Sequence, residues 1–118
     1  LEKVKAHVGD VDFAVQPEVL SLLSSGNFGR YADEKGEMKV CFISNNDITG
    51  GNSGSAMFNS KGELLGLAFD GNWEAMGSDI LYEPKMQRTI GVDVRYILFM
   101  IEKYGKAGNL IRELNILN

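Results

Sequence analysis

The sequence predicts a mainly β fold, with antiparallel strands followed by an amphipathic helical tail. Three observations carry this. Four apolar runs of strand length, at 38–44, 55–59, 63–70 and 88–94, are separated by polar stretches that contain glycine. Two of these runs, "SAMFN" and "ELLGLAFD", are joined by "SKG", a three-residue connection with the glycine expected of a hairpin. The last part, "RYILFMIEKYGKAGNLIRELNIL", has apolar residues at 97, 98, 100, 101 and 104, then at 107, 110, 111 and 114. That is helical spacing, punctuated at Gly105 and Gly108, and it predicts a tail over 95–114. Strands do not alternate with helices, so a doubly wound parallel sheet is excluded.

Each element can be justified in order. Over residues 1–16, Val4, Ala6 and Val8, then Val11, Phe13 and Val15, alternate loosely. They read as one or two short strands broken at Gly9-Asp10. "PEVLSLLSSG" follows, with Pro17 in its first turn, apolar residues at helical spacing and Gly26 past its end, which predicts a short helix. "NFGRYADEKGE" is polar and reads as a loop. "MKVCFIS" is rich in β-branched and aromatic residues and reads as a strand, with Cys41 as a small buried hydrophobe. "GNWEAMGSDILYEPKMQ" is a long, turn-rich connection before the strand "RTIGVDV".

Composition narrows the function classes. The 118 residues are 44% hydrophobic and 24% charged, enough for one domain with one core. The net charge of −4, without a Lys/Arg cluster, argues against nucleic acid or an anionic membrane as partner. No run of apolar residues is long enough to span a bilayer. One cysteine makes no internal disulfide and leaves the redox compartment open. The chain begins at Leu1 rather than methionine, as expected of a piece of a longer protein, so the lack of a targeting segment is uninformative.

The chemistry concentrates in "NDITGGNSGSAMFN", residues 45–58. A serine nucleophile needs a base for its proton and backbone N–H groups aimed at the developing oxyanion. Glycines allow a tight turn that supplies such donors, and "Gly51-Asn52-Ser53-Gly54" would offer the N–H groups of Gly51 and Ser53 beside the Ser53 hydroxyl. A plain glycine-rich turn is the competing reading. The nucleophile elbow of α/β-hydrolases fails, because Ser55 stands where its second glycine belongs and a hairpin, not a helix, follows. A phosphate-binding loop fails too, since no Lys-Ser/Thr pair follows.

What comes after the serine resembles the second barrel of a chymotrypsin-like serine peptidase. A strand, a short turn, a further strand, then "TIGVDV" and the helix "YILFMIEKY" run in that order. More closely, "NDITGGNSGS…KGELLGLAFDGNWEAMGSDI…QRTIGVDVRYILFMIEKYG", with "FGRYAD" upstream, resembles the C-terminal end of bacterial dipeptidyl-peptidases of the VII and XI type. These are serine exopeptidases with a chymotrypsin-like double β-barrel and a helical insertion.

The resemblance implies that 1–118 is the C-terminal barrel portion of such a peptidase, in the periplasm or on the surface of a Gram-negative bacterium. It implies Ser53 as nucleophile, with the Gly51 and Ser53 amides as oxyanion hole. It implies Phe69, Asp70 and Gly71 along the substrate main chain, with Asp70 also holding the free α-ammonium of a peptide. A carboxylate there would restrict cutting to dipeptides at the amino end. Gly71 would border the pocket for the residue at the scissile bond. Acidic-specific members carry a basic residue there, so glycine implies an apolar preference.

Asp47 admits a rival. It lies six positions before Ser53, where trypsin-like endopeptidases keep the aspartate that binds Lys or Arg. The resembled family carries "NDITGGNSGS" whatever its preference, so an intraloop hydrogen bond is the favoured role. Trp73, Glu74 and Asp79 could form a cleft wall without an assigned part. No cofactor or metal is called for.

A triad also needs a histidine oriented by a carboxylate. The one histidine, His7, sits in a weakly patterned stretch and reads as a partly exposed strand residue. In the resembled family both residues come from the N-terminal barrel. The chain is therefore expected to lack the base, to be inactive alone, and to need that barrel in cis. Its exposed interdomain face would favour self-association, for which a homodimer is one form. A non-catalytic relative that binds peptide termini or another protein is the alternative from a different class.

Overall fold

The structure, a computed structural model, describes residues 1–77, 81 and 83–117. These form two compact units, Met38–Ile97 and a helical unit made of Leu1–Glu37 with the residues from Leu98 onward.

The first unit is a four-stranded antiparallel sheet. Strands β1 (Cys41–Ser44), β2 (Ala56–Phe58), β3 (Leu64–Gly71) and β4 (Thr89–Asp93) lie in the order β1-β4-β3-β2. All four fall within the apolar runs read from the sequence. The β2–β3 hairpin closes over Asn59, whose side-chain oxygen accepts from the N–H groups of Lys61 and Glu63 at 2.9 and 3.0 Å. An asparagine that bonds the backbone ahead of it imitates a turn, which is why so short a connection suffices.

The interior of the sheet depends on two residues without side chains. Gly91 on β4 pairs with Phe42, and a Cβ there would sit 2.7 Å from Phe42 Cζ and 2.8 Å from Met57 Sδ. A Cβ on Gly66 of β3 would meet Phe42 Cε1 at 2.8 Å and overlap the Val92 carbonyl. The two edge strands thus send Phe42 and Met57 over the central pair, and glycine leaves them room. Asp93 ends β4 and starts the next element, helix α3 below. Its Oδ1 accepts from the Arg95 N–H at 2.9 Å, as a helix cap does, and its carboxylate takes the Arg95 guanidinium at 2.9 and 2.6 Å.

The helical unit contains α1 (Glu2–Ala6), α2 (Pro17–Ser24), 3₁₀ turns at Val11–Phe13 and Gly29–Tyr31, a π-helical turn at Met100–Tyr104, and α4 (Gly108–Glu113). The chain enters it through α3 (Val94–Phe99). The helical tail is as expected, except that it widens into the π turn, where Gly105 N–H reaches back five residues to Met100 O at 2.8 Å. Phe99 is fully buried, with Phe28 and Tyr31 edge-on to it at 5.7 and 6.2 Å. The Tyr31 hydroxyl donates to Glu102 Oε2 at 2.6 Å. That bond holds Glu102 below the usual carboxylate range, while burial and Glu102 push the Tyr31 pKa up to about 12. No helix among the described residues is long and apolar enough to cross a membrane.

Three local expectations are corrected. Residues 1–16 hold a helix and a 3₁₀ turn, not strands. Glu2, Lys3, Lys5 and Ala6 are good helix formers, and this outweighs a loose alternation that buries nothing. The break at Gly9-Asp10 is real, because Asp10 caps the 3₁₀ turn by accepting from the Asp12 N–H. Within the polar stretch 27–37, Tyr31 is a core residue, 2% exposed. Cys41 is exposed rather than buried, because β1 is an edge strand that turns Phe42 inward and Cys41 outward.

Candidate active site

The glycine loop is two consecutive tight turns. In the first, Asn52 N–H donates to Thr49 O at 3.2 Å, while Asn52 Oδ1 accepts from the Thr49 N–H at 2.9 Å. Gly51 occupies the third position with φ +95°, a conformation that L side chains rarely adopt. In the second, Ser55 N–H donates to Asn52 O at 2.9 Å and Gly54 takes the third position with φ +88°. Ser53 is the second residue of that turn. Two bonds to β3 moor the loop: Gly54 N–H to Ala68 O at 2.7 Å and Ala68 N–H to Ser55 O at 2.8 Å.

From Thr49 to Ser55, the N–H groups of Thr49, Asn52, Gly54 and Ser55 are all bonded. Those of Gly50, Gly51 and Ser53 have no acceptor among the described residues. All three residues are exposed, so these donors can bond water or a ligand. The Ser53 hydroxyl donates to the Phe69 carbonyl at 3.4 Å, a long contact. Phe69 is the residue that β3 leaves out of register, since Ala68 pairs with Gly91 and Asp70 with Ile90. The bulge brings that carbonyl to the serine.

Beside the loop is a pocket of about 220 Å³. Ile48, Thr49, Gly50 and Ser53 line one part of it, and Phe69, Asp70 and Gly71 at the end of β3 line another. Asn72, Ala75 and Met76 complete it. Four of the five sequence-predicted site residues therefore share one pocket, and Gly51, inside the turn, is not among those lining it. Asp70 is exposed, and its Oδ1 accepts from the Gly71 N–H at 2.8 Å.

Asp47, Trp73, Glu74 and His7 have separate surroundings. Asp47 is exposed, does not line the pocket, and makes no hydrogen bond among the described residues, so the expected intraloop bond is not formed. Trp73 is 81% exposed on the 3₁₀ segment Trp73–Gly77, and Glu74 accepts from the Asn72 side chain at 2.7 Å. Asp79 lies outside the described residues. His7 follows α1, half exposed, stacked on Phe13 at 4.4 Å and 3.9 Å from Asp10. It is thus a helix-end residue rather than a strand residue. Among the described residues no His, Cys, Asp and Glu cluster could hold a metal ion.

Sequence reasoning missed the far wall of the pocket. Asn72 uses both amide hydrogens, on Glu74 Oε2 at 2.7 Å and Met86 O at 2.8 Å, and its oxygen accepts from Arg88 N–H at 2.8 Å. Gln87, 4% exposed, donates to Glu74 O and Leu81 O and accepts from Glu83 N–H. Together they pin the connection after β3. The available signal was the small pair Gly71 and Ala75, four residues apart.

The site is thus a serine-bearing glycine loop ahead of a hairpin, with a pocket at the strand end, and the family follows from comparison. The chain belongs to the peptidase S46 family, whose model matches residues 1–116. It is 63% identical over 105 residues to dipeptidyl-peptidase 7 of Porphyromonas endodontalis, an alignment covering 89% of this chain and 13% of that protein. It is 47% identical over 109 residues to an Asp/Glu-specific dipeptidyl-peptidase of Capnocytophaga gingivalis, covering 92% and 15%. The crystal structure of Porphyromonas endodontalis DPP11 with the dipeptide Arg-Glu superposes with a TM-score of 0.88 at 43% identity. That match covers 96% of this chain and 16% of the other. The chain spans 13–16% of the length of the first curated relatives it matches.

Proposed function

We propose that this chain is the nucleophile-bearing C-terminal part of a longer serine dipeptidyl-peptidase, which removes dipeptides with an apolar residue at the scissile bond. The observation that carries the reading is the Ser53 turn. Its hydroxyl and the unbonded Gly51 and Ser53 N–H groups belong to a loop moored to β3 beside a pocket. In this reading the peptide carbonyl enters beside Ser53, whose Oγ attacks the carbonyl carbon. Its proton passes to a histidine on a chymotrypsin-like N-terminal barrel outside this chain, and the carbonyl oxygen becomes an oxyanion held by the two amides.

Asp70, an exposed residue of the pocket lining, takes the α-ammonium of the substrate, while Phe69 and Gly71 align its main chain. A free amine at that distance from the scissile bond makes the enzyme release dipeptides rather than cut internally. Membership of a family with relatives named dipeptidyl-peptidase 7 supports the exopeptidase reading. The apolar preference rests on Gly71, with no basic side chain among the described residues that line the pocket. The enzyme acts in the periplasm or on the cell surface of a Gram-negative bacterium.

The test compares the full-length protein and its Ser53→Ala variant on tetrapeptides with a free or an acetylated amino end. Release of dipeptide only from the free-amine peptides, abolished in the variant, is expected. Equal cleavage of the acetylated peptides, or activity surviving in Ser53→Ala, contradicts the reading.

A further inference from the structure

We propose that residue 75 is a second specificity-determining position. Ala75 and Gly71 both line the pocket, and a side chain at 71 can enter only if residue 75 gives way. This deepens the function proposed above and rests on its placement of the scissile-bond residue beside Gly71.

A Cβ built on Gly71 would lie 2.8 Å from Ala75 Cβ, with Ile48 Cγ2 and the Arg88 carbonyl oxygen each at 3.7 Å. Carbon atoms in good contact stand roughly 3.5–4.0 Å apart, so the Ala75 methyl already occupies the space a side chain at 71 would need. A methyl group has no rotamer to swing away, and relief requires the backbone of Trp73–Gly77 to move.

That backbone is held over Asn72, Glu74 and Ala75. Ala75 N–H donates to Asn72 O at 2.9 Å, and Asn72 N–H to Arg88 O at 2.9 Å. The Asn72 amide ties Glu74, Met86 and Arg88 together, and the buried Gln87 donates to Glu74 O at 3.3 Å. Ala75 is therefore a fixed wall.

The wall decides which substrates fit. Gly71, Ala75 and Ile48 carry no charge with which to receive a carboxylate. The nearby Arg88 guanidinium donates to the carbonyls of Pro84, Lys85 and Gln87 at 2.6–3.1 Å, so it is already engaged. An acid-binding pocket needs a new cation, and one carried on residue 71 collides with Ala75 first. Acid specificity at this site therefore takes two changes, a basic residue at 71 and loss of the methyl at 75.

The experiment uses the full-length protein with Ala75→Gly, Gly71→Arg and the double variant. Each is assayed for kcat and KM on free-amine peptides with Leu, Phe or Glu at the scissile bond. A fluorophosphonate probe on Ser53 reports whether the reactive site survives. The double variant should exceed Gly71→Arg by about tenfold in kcat/KM on the Glu peptide, the scale of relieving one steric conflict. Ala75→Gly alone should shift the Phe/Leu ratio several-fold towards Phe, on the order of one methylene of pocket space.

If Gly71→Arg cleaves the Glu peptide as well as the double variant does, residue 75 is no determinant, and the placement of Gly71 stands. If neither gains on Glu while Ser53 still reacts, the placement of Gly71 fails and the proposal with it. Should the Arg variants not fold, an unchanged Phe/Leu ratio in Ala75→Gly overturns the proposal by itself.

Discussion

At the scale of single residues, the site is a matter of which polar groups are engaged. Asp70 makes one bond, from the neighbouring Gly71 N–H, and has no cation against it among the described residues. A carboxylate in that condition is available to an ammonium group. Asp70→Asn keeps the shape and removes the charge, so it should lower kcat/KM on free-amine peptides by about 10²-fold, as loss of a charged contact does. Labelling of Ser53 by a fluorophosphonate should change little. A parallel loss of labelling and of peptide cleavage would mean a structural role.

The pair Tyr31 and Glu102 is the opposite case, because each group satisfies the other. The pKa of Glu102 is lowered in the fold, so its share of stability is present above the ordinary carboxylate range and is lost as pH falls through the lower folded value. The Tyr31 pKa is raised from 10.0 to about 12, so its share is complete below 10.0 and is lost as pH climbs towards 12. Tyr31→Phe should cost about 1–2 kcal/mol near neutrality. Denaturation measured across pH should then show shallower slopes on both the acid and alkaline sides. Unchanged slopes would show that the bond contributes nothing.

At the scale of elements, the sheet depends on glycine where strands normally carry bulk. Gly91→Ala would press a methyl against Phe42 and Met57, and overpacking of this kind costs about 1–3 kcal/mol. Pairing it with Phe42→Leu, which removes the ring, should recover part of the loss in a denaturation series. If Gly91→Ala is neutral, the sheet is looser than its contacts imply.

This scale also shows what could be read in advance. The four strands and the hairpin were legible because apolar runs of strand length stand between turn residues, and turn chemistry is local. The first helix was not, because Val4, Ala6 and Val8 fit a weak alternation as well as a helix and nothing buried them. Tyr31 and Cys41 were misplaced for a related reason. Burial belongs to the partner surface, and neither a core tyrosine inside a polar segment nor a cysteine facing out from an edge strand announces its neighbours. The grouping of Ser53 with the strand-end trio around one pocket was legible from motif and resemblance. Asn72, Ala75 and Gln87 were not, since their roles arise when the two ends of one connection meet.

At the scale of the molecule, the sheet unit carries much exposed apolar surface, with Ile43 68%, Phe58 60% and Met76 73% exposed. Surface of this kind suits a segment that packs against more protein. The chain alone should therefore self-associate with rising concentration in analytical ultracentrifugation. Under the proposed reading, which puts the triad histidine outside this chain, it should also show no peptidase turnover. A monomeric chain that hydrolyses peptides would contradict both expectations.

The most direct test of the central claim is to treat the full-length protein with a fluorophosphonate and locate the adduct by peptide mass spectrometry. A single phosphonylated residue at Ser53, with activity lost in proportion to labelling, is the predicted result. Modification at another serine, or full inactivation with Ser53 untouched, would contradict the account.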